Sequence, residues 1–122
     1  MLKKIAVVGS RGFNDYSLLE RTLTPYLPFV LVSGGARGAD SLAERFADKN
    51  NLEKIIFKPD WDKYGKRAGF LRNIKIIDES DMVIAFWDGN SSGTKSSIDL
   101  AREKNKELSV VRYNKEYTTT EK

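Results

Sequence analysis

The chain has 122 residues, with 21 Lys+Arg against 17 Asp+Glu and a net charge of +4. That length suits one domain with a single core. There is no cysteine and no histidine, which excludes disulfides, thiolate chemistry, imidazole bases and metals held by Cys or His.

In chain order, the first apolar run is Lys4–Gly9 (KIAVVG), followed by Gly9-Ser10-Arg11-Gly12. Leu19, Leu23 and Tyr26 then form a helical stripe, and Phe29–Ser33 (FVLVS) is a second strand. Ser33-Gly34-Gly35-Ala36-Arg37-Gly38 leads into a helix predicted to start near Gly38, with Ala39, Leu42, Ala43, Phe46 and Ala47 inward. Lys54–Phe57 (KIIF) is a third strand, followed by Pro59-Asp60-Trp61 and Tyr64-Gly65. Phe70, Ile74 and Ile77 predict another inward stripe, with Gly65, Gly69, Arg72 and Asn73 on a second face. Met82–Phe86 (MVIAF), a weaker helix over Thr94–Lys104, and Leu108–Tyr113 (LSVVRY) complete the pattern. The runs are short and apolar on both faces, as in strands covered by helices from both sides. The order βαβαβαβαβ predicts a three-layer α/β Rossmann-like sandwich with a mostly parallel five-stranded sheet. A single domain is expected over 1–113, with a polar tail over 114–122. No stretch has the length of a signal-peptide core or a membrane span, so a soluble, cytoplasmic protein with no membrane partner is expected.

The Gly, Ser, Arg and Trp residues all follow strands, and ligands of such sheets sit beyond the strands' carboxyl ends. Glycines in SGGARG admit a close anion, the following helix start offers amides and a positive dipole end, and Arg37 adds a phosphate clamp. Asp40 suits either a capping carboxylate or a contact to ribose hydroxyls or Arg11. Asn90–Thr94 (NSSGT) reads as a helix cap or, opposite SGGARG, a second phosphate or ribose clamp. Trp61 and Trp87 are candidate base-stacking platforms, although core packing is the usual fate of aromatics.

Four blocks, GSRGF, SGGARGADSLAERFA, PDWDKYGKRAGFLRN and IAFWDGNSSGT, stand in this order. Together they resemble the YspA-like branch of the SLOG superfamily, which also holds the Lonely Guy phosphoribohydrolases and the DNA-processing protein DprA. The resemblance covers about residues 3 to 113. It implies a Rossmann-like domain that binds nucleotides or nucleotide-derived ligands, often as a homo-oligomer. The phosphoribohydrolases carry PGGxGTxxE with a catalytic final glutamate. Here Gly93 and Thr94 keep the glycine–threonine pair, and Ser97 stands at the glutamate's place.

The expected function is therefore binding of a small phosphorylated nucleotide, NAD-derived or cyclic, as a sensor or sequestering protein, with no catalytic residue, metal or cofactor assigned. The expected ligand contacts are Gly9, Ser10, Arg11, Ser33, Gly34, Gly35, Ala36, Arg37, Gly38, Asp40, Trp61, Arg72, Asn73, Trp87, Ser92, Gly93 and Thr94. One alternative is a nucleotide hydrolase using Asp40, Asp60, Asp88 or Asp99 as acid–base. A second is single-stranded nucleic-acid binding through SGGARG and the basic stretch from Lys58 to Lys75, which the modest charge excess disfavours.

Overall fold

The computed structural model describes residues 2–114; the expected tail beyond Asn114 lies outside the described residues. Five strands, β1 (Lys4–Gly9), β2 (Val30–Ser33), β3 (Lys54–Ile56), β4 (Met82–Trp87) and β5 (Glu107–Arg112), form one sheet in the order β3-β2-β1-β4-β5. Every pairing is parallel, for example Ala6 with Val32 and Val83, and Ile84 with Ser109. The connections carry α1 (Tyr16–Leu23), α2 (Ala39–Lys49), the four-residue α3 (Trp61–Tyr64), α4 (Ala68–Glu79) and α5 (Ser92–Glu103). This is the predicted α/β sandwich.

Strand alternation builds two cores. Ile5, Val7, Leu31, Ile84 and Phe86 face α1 and α2, where they meet Leu19, Leu23, Ala43 and Phe46. Ala6, Val8, Val32, Val83 and Ala85 face α4 and α5, where they meet Ile76, Ile77, Ile98 and Ala101. Both faces of the central strands are thus dry, which explains why their sequences read as continuous apolar runs rather than alternating ones.

Several local expectations shift. Helix α5 starts at Ser92, two residues earlier than predicted, because Ser91 caps it. Gly65 is not part of α4: at φ +58 it opens a 3₁₀ turn over Gly65–Arg67. The predicted inward stripe on α4 is corrected as well. Ile77 is buried, but Phe70 is 52% exposed, and Ile76 takes the inward position beside Ile77. No helix among the described residues is long and apolar enough to cross a membrane.

The chain winds from β1 outward to β2 and β3, then crosses back to β4 on the other side of β1. The segments that leave β1 and β4 therefore diverge, and a crevice opens between them at the carboxyl edge of the sheet.

Candidate functional site

A cleft of about 640 Å³ occupies that crevice. Its walls are Gly9 at the end of β1 with Ser10, Arg11 and Gly12 after it, Ala36 and Asp40 from the β2–α2 region, and Gly69, Phe70, Arg72 and Asn73 on α4. Asp88 and Ser91 to Thr94 close it from the β4–α5 side, with Ser96 and Ser97 one turn further along α5.

The β2–α2 loop is folded upon itself. Asp40, in the first turn of α2 and 8% exposed, accepts through one oxygen from the N–H groups of Gly34 (3.2 Å) and Ala36 (3.1 Å). Arg72 reaches over from α4 and donates through Nη1 to the carbonyls of Gly34 (2.6 Å) and Phe57 (3.4 Å), while its Nε donates to Asn73 Oδ1 (2.9 Å). Gly38 has φ +74, and a Cβ there would overlap the backbone of Ser10 and Arg11. The Ala39 N–H is aimed at the Ser10 carbonyl at 3.4 Å. The sequence predicts free amides in this loop and at the start of α2. Gly34, Ala36 and Ala39 instead donate within the protein. Of the two roles open to Asp40, loop closure is the one its contacts show. Burial raises the Asp40 pKa above its ordinary value, against the opposing pull of the Ala36 amide, the Arg72 charge and the Gly34 amide. Burial lowers that of Arg72, Asp40 raises it, and nearby Arg11 lowers it again.

The β4–α5 loop is braced by Asp88 and Trp87 and open at Ser92 and Gly93. Asp88 Oδ1 accepts from the N–H groups of Asn90 and Ser91, both at 2.8 Å. Ser91 Oγ caps the helix by accepting from the Thr94 N–H at 3.5 Å. Trp87 Nε1–H donates to the Ser91 carbonyl (3.0 Å), and the Arg112 guanidinium lies 5.2 Å from the Trp87 ring centre. Ser92 and Gly93 begin a twelve-residue helix, so their N–H groups have no acceptor within it. Both residues are exposed and line the cleft. Beyond its chain neighbours and the adjacent helix backbone, a Cβ built on Gly93 would meet nothing within 4 Å. Arg11 is exposed at the same cleft, and its guanidinium makes no hydrogen bond or ion pair among the described residues. Two unspent amides, a helix dipole and an unpaired cation thus converge on one volume.

The structure gathers Gly9, Ser10, Arg11, Ala36, Asp40, Arg72, Asn73, Ser92, Gly93 and Thr94 around the cleft. Ser33, Gly34, Gly35, Arg37, Gly38, Trp61 and Trp87 do not line it. Ser33 and Gly34 are buried beneath the loop, and Arg37 and Gly35 are exposed. Trp87 is a brace for the β4–α5 loop rather than an open ring. Trp61 is 53% exposed and stands next to Gly69. Sequence reasoning missed Phe70, Ser96 and Ser97 as cleft residues. Helical spacing carried the signal: Phe70 lies three residues before Asn73, and Ser96 and Ser97 lie three and four after Gly93. No cluster of carboxylates suited to a metal ion occurs among the described residues.

Residues 3–64 match the YspA, cpYpsA-related SLOG family. The chain belongs to this family. The gene 61 protein of Mycobacterium phage D29 is 35% identical to this chain, over 84% of this chain and 90% of the phage protein. The fold is shared with DprA from Streptococcus pneumoniae, with a TM-score of 0.74 and 22% identity over 93% of this chain. DprA from Helicobacter pylori, a structure described for its single-stranded DNA binding mode, gives a TM-score of 0.71 and 26% identity over 92% of this chain. This SLOG chain spans 51% and 66% of those two DprA chains, respectively.

Proposed function

We propose that the cleft binds the phosphate of a small nucleotide or nucleotide-derived ligand, and that the protein acts as a cytoplasmic sensor or sequestering protein. The observation that carries this reading is the unpaired Arg11 beside the open Ser92 and Gly93 amides at the start of α5. Membership of the SLOG family supports it. Binding is favoured over hydrolysis because the four carboxylates considered as acid–base, Asp40, Asp60, Asp88 and Asp99, are all occupied. Asp40 holds two loop amides, Asp88 holds two more, Asp60 caps α3 through the Lys63 N–H, and Asp99 pairs with Lys95 at 2.9 Å. Ser97, where the phosphoribohydrolases carry their glutamate, is 3% exposed against the cleft and supplies no carboxylate.

Calorimetric titration with nucleoside monophosphates tests the reading. Arg11→Ala should remove a charge-assisted contact worth about 1.5–3 kcal/mol, a tenfold to hundredfold loss of affinity. Its melting temperature should stay within about a degree or two of the parent, since the side chain is exposed and unpaired. Unchanged affinity in Arg11→Ala would remove the phosphate from this end of the cleft.

The likeness to the Helicobacter pylori DprA structure favours a second reading, in which the phosphate belongs to single-stranded DNA. Oligonucleotide binding would then weaken steeply with salt, with a slope counting several phosphates, whereas a single nucleotide gives a shallow one. Self-association belongs to the proposal too; light scattering that finds a monomer with and without nucleotide rejects it.

A further inference from the structure

A second concavity, of about 320 Å³, lies along α5 and is lined by Phe70, Ser92, Lys95, Ser96, Asp99, Leu100 and Glu103. It shares Phe70, Ser92 and Ser96 with the main cleft, so the two concavities adjoin along these residues. Phe70 sits in the first turn of α4; Ala68, Ile76 and Ile77 of that helix are buried, whereas Phe70 is 52% exposed. An exposed phenyl ring at the joint of two concavities leaves apolar surface in water that a flat ring would cover.

The charges along the two concavities are ordered. Arg11, Arg72 and the start of α5 lie at the end that leads to the sheet, together with Asp40 and Asp88, whose carboxylates each accept from two loop amides. Asp99 and Glu103 lie at the other end. Asp99 is paired with Lys95 at 2.9 Å. Glu103 is exposed and makes no hydrogen bond or ion pair among the described residues. A phosphate is attracted to the first end and repelled from the second. An N–H donor edge has its acceptor at the second.

From this, the geometry points to a base subsite between α4 and α5. The base of a nucleoside phosphate stacks on Phe70 against Leu100, and Glu103 accepts hydrogen bonds from a purine that carries an amino group beside a ring N–H, as guanine does. The subsite deepens the proposed function and rests on it, since the phosphate end of the adjoining cleft orients the ligand. It replaces Trp61 and Trp87 by Phe70 as the stacking ring.

The experiment compares ribose 5-phosphate, inosine monophosphate and guanosine monophosphate by calorimetry on the full chain and on Phe70→Ala, Phe70→Tyr and Glu103→Gln. Both altered side chains are largely exposed, and a melting curve for each variant confirms that it folds. On the parent chain, guanosine monophosphate should bind most tightly and ribose 5-phosphate least. Phe70→Ala should weaken both nucleotides about fivefold to a hundredfold while leaving ribose 5-phosphate unchanged, and Phe70→Tyr should restore the loss. Glu103→Gln should bring guanosine and inosine monophosphate from about a tenfold difference toward equality. If ribose 5-phosphate binds as tightly as either nucleotide, the base subsite is overturned and the phosphate site stands. If none of the three binds, both are overturned. If Phe70→Ala changes the oligomeric state and leaves the ratio of nucleotide to ribose 5-phosphate affinity unchanged, Phe70 is a subunit contact and the subsite is overturned.

Discussion

Two glycine-containing loops border the same cleft, one before α2 and one before α5, and they have opposite characters. In the first, the amides of Gly34 and Ala36 are held by Asp40, the carbonyl of Gly34 is held by Arg72, and Gly38 is pressed against the backbone of Ser10 and Arg11. In the second, Asp88 and Trp87 brace the loop, and Ser92 and Gly93 keep their amides unspent. Glycine in a loop thus has two separate uses. It allows backbone to pack on backbone, and it allows a ligand to approach backbone. Which use applies depends on what already occupies the amides.

The sharpest way to break this contrast is Gly38→Ala. An alanine there must hold φ +74 and overlap two backbone carbonyl regions at once. The expected loss of stability is about 2 kcal/mol or more, enough to lower the melting temperature of a chain this size by roughly 8 °C or more. A melting curve close to the parent's would show that the first loop is not packed as described.

A smaller effect sharpens the role of Asp40. Asp40→Asn keeps an oxygen for the Gly34 and Ala36 amides and removes the charge. Burial raises the folded-state pKa of Asp40 above the ordinary 3.8. A carboxyl raised in this way contributes stability that is fully present below its unfolded value and is lost as pH rises through the folded one. The stability of the parent relative to Asp40→Asn should therefore increase as pH is lowered through that window. Denaturant unfolding of both proteins at several pH values checks the sign, and a difference that moves the other way contradicts a desolvated carboxyl.

The sheet was legible in the sequence because β1, β2 and β4 are buried on both faces, so their Val and Ile runs carry no competing pattern. The placement of the glycine loops on one edge followed from the alternation of strands and helices. The site was legible only as a neighbourhood. Asp40 and Arg72 are thirty-two positions apart, and nothing in the linear pattern says that both grip the same loop. For that reason the amides of SGGARG read as free. Phe70 read as core because its spacing to Ile74 and Ile77 matches a helix stripe; of that stripe only Ile77 is buried, and α4 turns Ala68, Ile76 and Ile77 inward instead. Trp87 read as a stacking ring because the sequence shows its position after β4 but not the hydrogen bond that turns its indole toward Ser91.

The central claim is that phosphate is held at the start of α5, and Gly93→Ala tests it most directly. Beyond its chain neighbours and the adjacent helix backbone, no atom lies within 4 Å of the added Cβ, and alanine is favoured over glycine in a helix by roughly 0.5–1 kcal/mol. The expected result is a melting temperature equal to or above the parent's, together with a clear loss of affinity for nucleoside monophosphates, because the methyl group occupies the space in which the phosphate meets the Ser92 and Gly93 amides. Unchanged affinity in a fully folded Gly93→Ala protein would contradict it.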